Sequence, residues 1–188
     1  NCQTTGSEYC SYGFSNGVCN SKTTTSATGA VTASASKSYS GAYPVIFVHG
    51  WIQFGNDGLG TFRDMQDTLN SEGVVEDKGD IYSSSLTSSI CPRGWPKAVS
   101  VNFEYYDEGK DREISFYASK LAKAIAILKI CTGGSSKINI VAHSMGGLIS
   151  RTYMVNYSSN NVNKLIMLET PNYGSPIAWW GSIIRSND

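Results

Sequence analysis

Short apolar runs recur along residues 44–168 and predict the strands of one sheet. Each run is five or six residues long, and the first ends in His49-Gly50. Continuous apolar runs of this length, rich in β-branched residues, are typical of strands that are buried on both faces of a parallel sheet. The predicted strands are residues 44–48, 98–103, 137–142 and 164–168.

Helical periodicity occupies much of the sequence between these runs. The clearest helix is predicted over 111–130, a weaker one over 58–71, and a third over 145–156. Residues 73–96 are rich in Gly, Ser and Pro, which predicts mostly loop. Strands that alternate with helices indicate parallel βαβ units. The expected fold class is therefore α/β, with a mostly parallel sheet and helices on both faces.

The composition changes twice before the α/β region begins. Residues 1–20 contain three cysteines and predict a small disulfide-tied N-terminal cap. Residues 21–40 are dominated by Ser, Thr, Ala and Gly, so we expect a linker or an extended surface segment. The α/β domain is expected to occupy residues 41–188.

The five cysteines indicate disulfides and hence a secreted or extracellular protein, with free buried thiols as the alternative. An odd number leaves one cysteine free or paired with a residue outside this chain. Fifteen basic residues balance fifteen acidic ones, so the charge gives no reason to expect a nucleic-acid partner. No cofactor or metal site is predicted, because no Cys/His cluster or calcium-binding loop identifies itself.

The segment Ala142-His143-Ser144-Met145-Gly146-Gly147 joins a predicted strand to a predicted helix. A serine at such a turn, with small residues two positions before and after it, is typical of a nucleophile elbow. The alternative is a serine that only caps the following helix. We predict that Ser144 is a catalytic nucleophile. The backbone N–H groups of Met145 and Trp51 are the candidate oxyanion-hole donors, Trp51 because it follows the first strand. The alternative for His49 is a solvated loop histidine.

Three segments in this order resemble the signature segments of bacterial-type lipases of the α/β-hydrolase superfamily. They are 44–50, 142–148 and 170–176, and the Ala at the first elbow position resembles the small Bacillus-type lipases. The resemblance covers roughly residues 43–180. It implies an α/β-hydrolase fold, oxyanion donors at Trp51 and Met145, and a His143 that packs beside the nucleophile without acting as its base.

The triad base of that superfamily has no counterpart in this sequence. The histidines are His49 and His143, and both precede Ser144. Glu169 is a weak candidate for the triad acid; its alternative role is a carboxylate that lines the site. We expect that residues 41–188 are the N-terminal portion of the hydrolase domain, incomplete at the C-terminus, and that a companion C-terminal segment carries the Asp and His. A pseudoenzyme and a different base, such as a lysine, are the alternatives.

The predicted activity is hydrolysis of carboxylic esters, by a lipase or esterase, through an acyl-enzyme on Ser144. The expected substrate is an acylglycerol, another lipid ester or a small ester. An acyltransferase of the same fold and a catalytically inactive binding protein are the alternatives. The sequence predicts neither the acyl chain length nor the disulfide pairing.

Overall fold

The computed structural model describes residues 38–52, 58–108 and 112–175, and the backbone of 14–15 and 18–19. The chain divides into two units, Asn1–Ser36 and Lys37–Asp188. In the first unit, strands β1 (Phe14–Ser15) and β2 (Val18–Cys19) pair antiparallel. The rest of the predicted cap and nearly all of the predicted linker lie outside the described residues, and so does 176–188.

The second unit is built on a parallel sheet. Its strands are β3 (Val45–Val48), β4 (Glu76–Tyr82), β5 (Val99–Glu104), β6 (Ile138–His143) and β7 (Val162–Leu168). Among the described residues they pair in the order β4-β5-β3-β6-β7, with every neighbouring pair parallel. This confirms the predicted α/β class with a mostly parallel sheet. Because β3 lies between β5 and β6, the loops that follow β3 and β6 meet at the carboxyl edge of the sheet, where such folds bind ligands.

Strand β4 corrects the prediction of mostly loop over 73–96. In the part of the chain that the structure describes, it lies at the edge of the sheet and pairs with β5 alone. Edge strands carry charged side chains because one side faces solvent, so β4 has no apolar run. A bulge interrupts the pairing between Asp77 and Asp80, and Gly79 in it takes a φ of 75°. The Gly79 N–H donates to Oδ1 of Asp77 over 2.6 Å, which stabilises the bulge.

Helices cover both faces of the sheet, as predicted. Helix α1 (Arg63–Ser71) follows a 3₁₀ turn (Leu59–Phe62), α2 spans Ile114–Cys131, and α3 spans Met145–Tyr153. Helix α2 begins three residues later than predicted. Helix α3 ends three residues earlier than predicted, and the chain continues as a π turn (Met154–Ser158). No helix of the described part of the chain is long and apolar enough to span a membrane.

The larger core lies between the sheet and helices α2 and α3. Alternate strand residues face it, among them Ile46, Val48 and Ile140, and they pack against residues such as Leu121 and Ile149. The opposite face carries a smaller core of Val45, Phe47, Phe62, Val75 and Val141, against which Leu69 of α1 packs. Burial of each such aliphatic side chain stabilises the fold by about 1.5–3 kcal/mol. The central strands are therefore held rigidly from both sides.

A disulfide joins Cys91 to Cys131, the last residue of α2. It confirms that the chain contains a disulfide, whose pairing the sequence left open. The Trp95 N–H also donates to the Cys131 carbonyl over 2.6 Å. The long connection between β4 and β5 is thus fixed to the end of α2.

Replacing Cys91 and Cys131 by serine is expected to lower the free energy of unfolding by about 2–4 kcal/mol. The bridge closes a loop over a sequence separation of 40, so its loss returns that loop's freedom to the unfolded chain. Urea unfolding with and without a reductant measures the effect. The reductant should shift the wild-type midpoint more than that of the double variant, which keeps Cys2, Cys10 and Cys19. Equal midpoints for the two oxidised proteins would contradict this expectation.

Candidate active site

Ser144 occupies a strained turn between β6 and α3. Its φ is 51° and its ψ is −121°, values that L-residues with a Cβ rarely adopt. Its N–H donates to the Leu168 carbonyl of β7 over 2.8 Å, and its own carbonyl accepts from the Gly147 N–H over 3.0 Å. Strain of this kind is held by surrounding structure and concentrates at functional sites. The geometry fits a nucleophile elbow better than a simple helix cap, and Ser144 makes no side-chain capping bond.

Close packing explains the small residues around the turn. A Cβ on Gly146 would lie 2.3 Å from the Val48 carbonyl oxygen and 2.4 Å from that of His49. A Cβ on Gly50 would lie 2.8 Å from the Ser144 Cβ. The elbow, the end of β3 and the loop after it therefore pack so closely that a side chain at Gly50 or Gly146 would clash.

The two candidate oxyanion donors belong to the residue after Ser144 and to the loop after β3. Met145 is the first residue of α3, so its N–H belongs to the helix N-terminus, where N–H groups lack intrahelical partners. Trp51 directly follows Gly50, the residue that contacts Ser144, and the Trp51 side chain is 46% exposed. Within the described residues, the Trp51 N–H donates to no backbone carbonyl. The positions predicted for the site are thus brought together at one edge of the sheet.

A buried cluster supports the loop after β3, and no sequence motif predicted this cluster. The ring of His49 stacks on Tyr105, with centroids 4.1 Å apart and planes 7° apart. Both side chains are buried, which excludes the solvated loop histidine considered for His49. The His49 Nδ1 lies 2.7 Å from the Gly50 carbonyl oxygen, which can only accept, so Nδ1 is the donor in this contact. The Tyr105 hydroxyl lies 2.8 Å from the His49 carbonyl and 2.9 Å from the Gly50 carbonyl.

Glu104, the last residue of β5, completes this cluster. Its carboxylate accepts from the Tyr106 N–H over 2.7 Å and from the Gly58 N–H over 3.2 Å. The His49 Nε2 lies 3.4 Å from Oε1, outside normal hydrogen-bond geometry. Burial opposes ionisation of Glu104, but the interaction with His49 and the two backbone N–H groups outweigh it and lower its pKa. Glu104 is therefore an ionised anchor for the loop between His49 and Gly58.

Glu104→Gln is expected to destabilise the protein by about 2 kcal/mol at pH 7. A glutamine offers one acceptor oxygen, so one of the two backbone N–H groups loses its partner. The pKa of Glu104 is lower in the folded protein, so its contribution is fully present above the ordinary value of 4.5. That contribution disappears as the pH falls through the lowered pKa.

Urea unfolding from pH 7 to pH 3 measures this dependence. The gap between wild type and Glu104→Gln should narrow towards low pH. Glu72→Gln is the matched control, because Glu72 is exposed at the end of α1. It should change stability by less than about 0.5 kcal/mol. A gap that stays constant over this range would contradict the ionised anchor.

The second histidine also faces a carboxylate. His143 Nε2 lies 3.5 Å from Oε2 of Glu169, the residue after β7. Glu169 has a φ of 53°. In the described structure, Ser144 and Glu169 are the non-glycine residues with positive φ. In that part of the chain, no hydrogen bond joins the Ser144 hydroxyl to either imidazole. The predicted packing of His143 beside the elbow agrees with its contact on Gly50.

The described side chains can also be examined for a set of metal ligands. Among the described residues, no group of three or more His, Cys, Asp or Glu side chains is arranged to hold a metal ion. The carboxylates of the site, Glu104 and Glu169, each face a histidine instead.

Comparison with protein families assigns the chain to a group. The family model described as "PGAP1-like alpha/beta domain" matches residues 39–187. The chain belongs to this family. Its match begins next to the start of the described second unit and includes the elbow, the loop after β3 and the Thr170-Pro171 turn. The PGAP1-like assignment confirms the α/β-hydrolase-like fold predicted from the motifs.

Curated relatives of the PGAP1-like domain match over a short segment. A GPI inositol-deacylase from Phaeosphaeria nodorum is 34% identical over 55 residues, which is 28% of this chain and 5% of the relative. The GPI inositol-deacylase from Aspergillus oryzae is 34% identical over 53 residues, 27% of this chain and 5% of the relative. The chain is thus matched to a small part of much longer proteins.

Proposed function

We propose that this PGAP1-like domain is a serine hydrolase that cleaves carboxylic esters through an acyl-enzyme on Ser144. The observation that carries the proposal is the Ser144 turn, with its φ of 51° at the junction of β6 and α3. Strain at that position lifts the hydroxyl out of the sheet edge next to the loop containing Gly50 and Trp51. The names of the relatives, which are deacylases, support the same reaction class.

The reaction takes place in two steps. The Ser144 Oγ attacks the ester carbonyl carbon while a base removes its proton, and the N–H groups of Trp51 and Met145 bind the developing oxyanion. The bond between the carbonyl carbon and the alkoxy oxygen then breaks, and the base passes its proton to the alcohol that leaves. Water repeats the attack on the acyl-enzyme, which releases the carboxylic acid and the serine.

We assign the base and its acid to a companion C-terminal segment or chain. The two histidines of this sequence precede Ser144, and each faces a carboxylate. Glu169 contacts His143, which supports a role as a lining carboxylate over one as triad acid.

The companion C-terminal segment leads to a testable prediction. The natural full-length protein should turn over esters, and residues 1–188 produced alone should not. Equal activity of the two proteins would contradict it.

The proposed substrate is an ester between a fatty acid and a hydroxyl of a polyol headgroup. The relatives are named for deacylation of an inositol, which is such a polyol. The lipase-like segments 44–50, 142–148 and 170–176 support a lipid ester as well. We also propose an extracellular or lumenal location, because the Cys91–Cys131 disulfide is favoured by an oxidising compartment.

The test uses the full-length protein and a fluorophosphonate probe. We expect covalent labelling of the peptide that contains Ser144, located by mass spectrometry, and no labelling of Ser144→Ala. Ser150→Ala is the matched control, because this buried serine lies on the same helix and its hydroxyl donates to the Gly146 carbonyl. It should keep its label. A full-length protein that takes no label would overturn the hydrolase and favour a binding protein.

A substrate series then divides the ester classes. Acylated inositol should be cleaved with a higher kcat/KM than p-nitrophenyl esters of matched chain length. Release of free acid in water alone identifies a hydrolase, whereas product that forms only with an added alcohol would identify an acyltransferase. Equal kcat/KM for headgroup and p-nitrophenyl esters would contradict the polyol assignment.

A further inference from the structure

The hydroxyl of Tyr105 contacts the backbone of the loop that follows β3, at the residues next to the Ser144 elbow. Tyr105 directly follows β5 and is fully buried. Its hydroxyl reaches the carbonyl oxygens of both His49 and Gly50, at 2.8 and 2.9 Å. A phenol can donate one proton, so the two carbonyls share it. Burial raises the pKa of Tyr105 well above its ordinary value, so the hydroxyl remains a donor at any working pH.

The Gly50 carbonyl has a second partner. The His49 Nδ1 lies 2.7 Å from the same oxygen, and the stacking of His49 on Tyr105 holds both donors in place. Two donors on one carbonyl oxygen fix the plane of the peptide between Gly50 and Trp51. In a trans peptide the C=O and the N–H point in opposite directions. The Trp51 N–H must therefore point away from Tyr105.

Gly50 also packs closely against the elbow. A Cβ on Gly50 would lie 2.8 Å from the Ser144 Cβ and 2.9 Å from the His143 Nδ1. Gly50 thus contacts the Tyr105–His49 pair through its carbonyl oxygen and lies close to the elbow that carries the nucleophile. A rotation of the peptide between Gly50 and Trp51 would break both bonds to the Gly50 carbonyl and turn the Trp51 N–H away from its present direction.

We propose that Tyr105 is a positioning residue that presents the Trp51 N–H to the oxyanion formed at Ser144. It acts through the Gly50 carbonyl and touches no substrate. The proposal rests on the proposed hydrolase function. The buried Tyr105 at the end of β5 would then affect catalysis through its hydroxyl, in addition to packing its ring in the core.

Tyr105→Phe in the full-length protein tests the proposal, because it removes one oxygen atom and keeps the ring. We expect kcat for an ester to fall about 10- to 100-fold, since misplacing one donor weakens transition-state binding. KM should change by less than about twofold, since the ground-state ester does not need this donor. The affinity for a boronic acid, which forms a tetrahedral adduct on serine, should fall in parallel with kcat.

Tyr153→Phe is the matched control. Tyr153 is also a buried tyrosine, and its hydroxyl accepts from the Asn161 side chain over 3.1 Å at the far end of α3. It should keep wild-type kcat and boronic-acid affinity. His49→Gln in the Tyr105→Phe background should add less than its effect alone, because both residues hold the same carbonyl.

Each outcome decides the proposal. Wild-type kcat and boronic-acid affinity in Tyr105→Phe would overturn it. A lower Tm in Tyr105→Phe, together with equal losses in kcat and in product affinity, would also overturn it. That pattern is expected of a residue with a structural role only. If the wild-type protein itself takes no fluorophosphonate label, the hydrolase assignment fails first, and the proposal for Tyr105 falls with it.

Discussion

Ser144→Gly is expected to lower kcat by about 10⁴-fold or more and at the same time to make the protein more stable. The first effect follows from loss of the nucleophile. The second follows from the φ of 51° at Ser144, which glycine adopts without a steric penalty. Relief of this strain should raise the free energy of unfolding by about 1 kcal/mol.

Ser144→Ala separates the two effects. Alanine also removes the nucleophile but keeps a Cβ in the strained conformation, so turnover should disappear with no gain in stability. Ester hydrolysis and thermal unfolding of the three proteins provide the comparison. Turnover retained by the alanine variant would contradict the role of Ser144, and equal Tm values for the glycine and alanine variants would contradict the strain.

Gly146→Ala is expected to cost about 4 kcal/mol or more of folding stability, which is most of the total for a domain at the low end of the usual range of about 5–15 kcal/mol. The new methyl group would lie 2.3 and 2.4 Å from the carbonyl oxygens of Val48 and His49. These atoms belong to the end of β3 and the loop after it, in the centre of the sheet, so they cannot move without disturbing the neighbouring strands.

Gly60→Ala is the matched control for this substitution. Gly60 lies in the 3₁₀ turn before α1, and its Cβ would meet no atom within 4 Å. It should change the urea midpoint only slightly, whereas Gly146→Ala should give little folded protein. A well-folded Gly146→Ala with wild-type activity would contradict the close approach of the elbow to β3.

The elements that face the core could be predicted from the sequence because burial imposes a pattern on it. Strands β3, β5, β6 and β7 were expected within a few residues of their bounds, and so was α2. Strand β4 was missed, since its sequence from Glu76 to Asp80 is polar and pairing with β5 holds it in the sheet. An edge strand is stabilised by backbone hydrogen bonds that leave no apolar signal in the chain.

The candidate site divides in the same way. Ser144, Met145 and Trp51 lie in local motifs whose spacing is written in the sequence. Tyr105 and Glu104 act on a loop more than 50 and 40 positions away along the chain, respectively, and no spacing rule relates them to it. A signal did exist: a charged residue and a tyrosine at the carboxyl end of a buried strand, where parallel sheets place functional side chains.

The φ of 53° at Glu169 has a consequence for how this position changes over generations. Glycine or asparagine fits that backbone more easily than glutamate does, so random substitution should drift towards them. If orthologues nevertheless keep glutamate at this position, natural selection must act on its carboxylate. Sequences of orthologues can therefore report, without any assay, whether the contact between Glu169 and His143 is under selection.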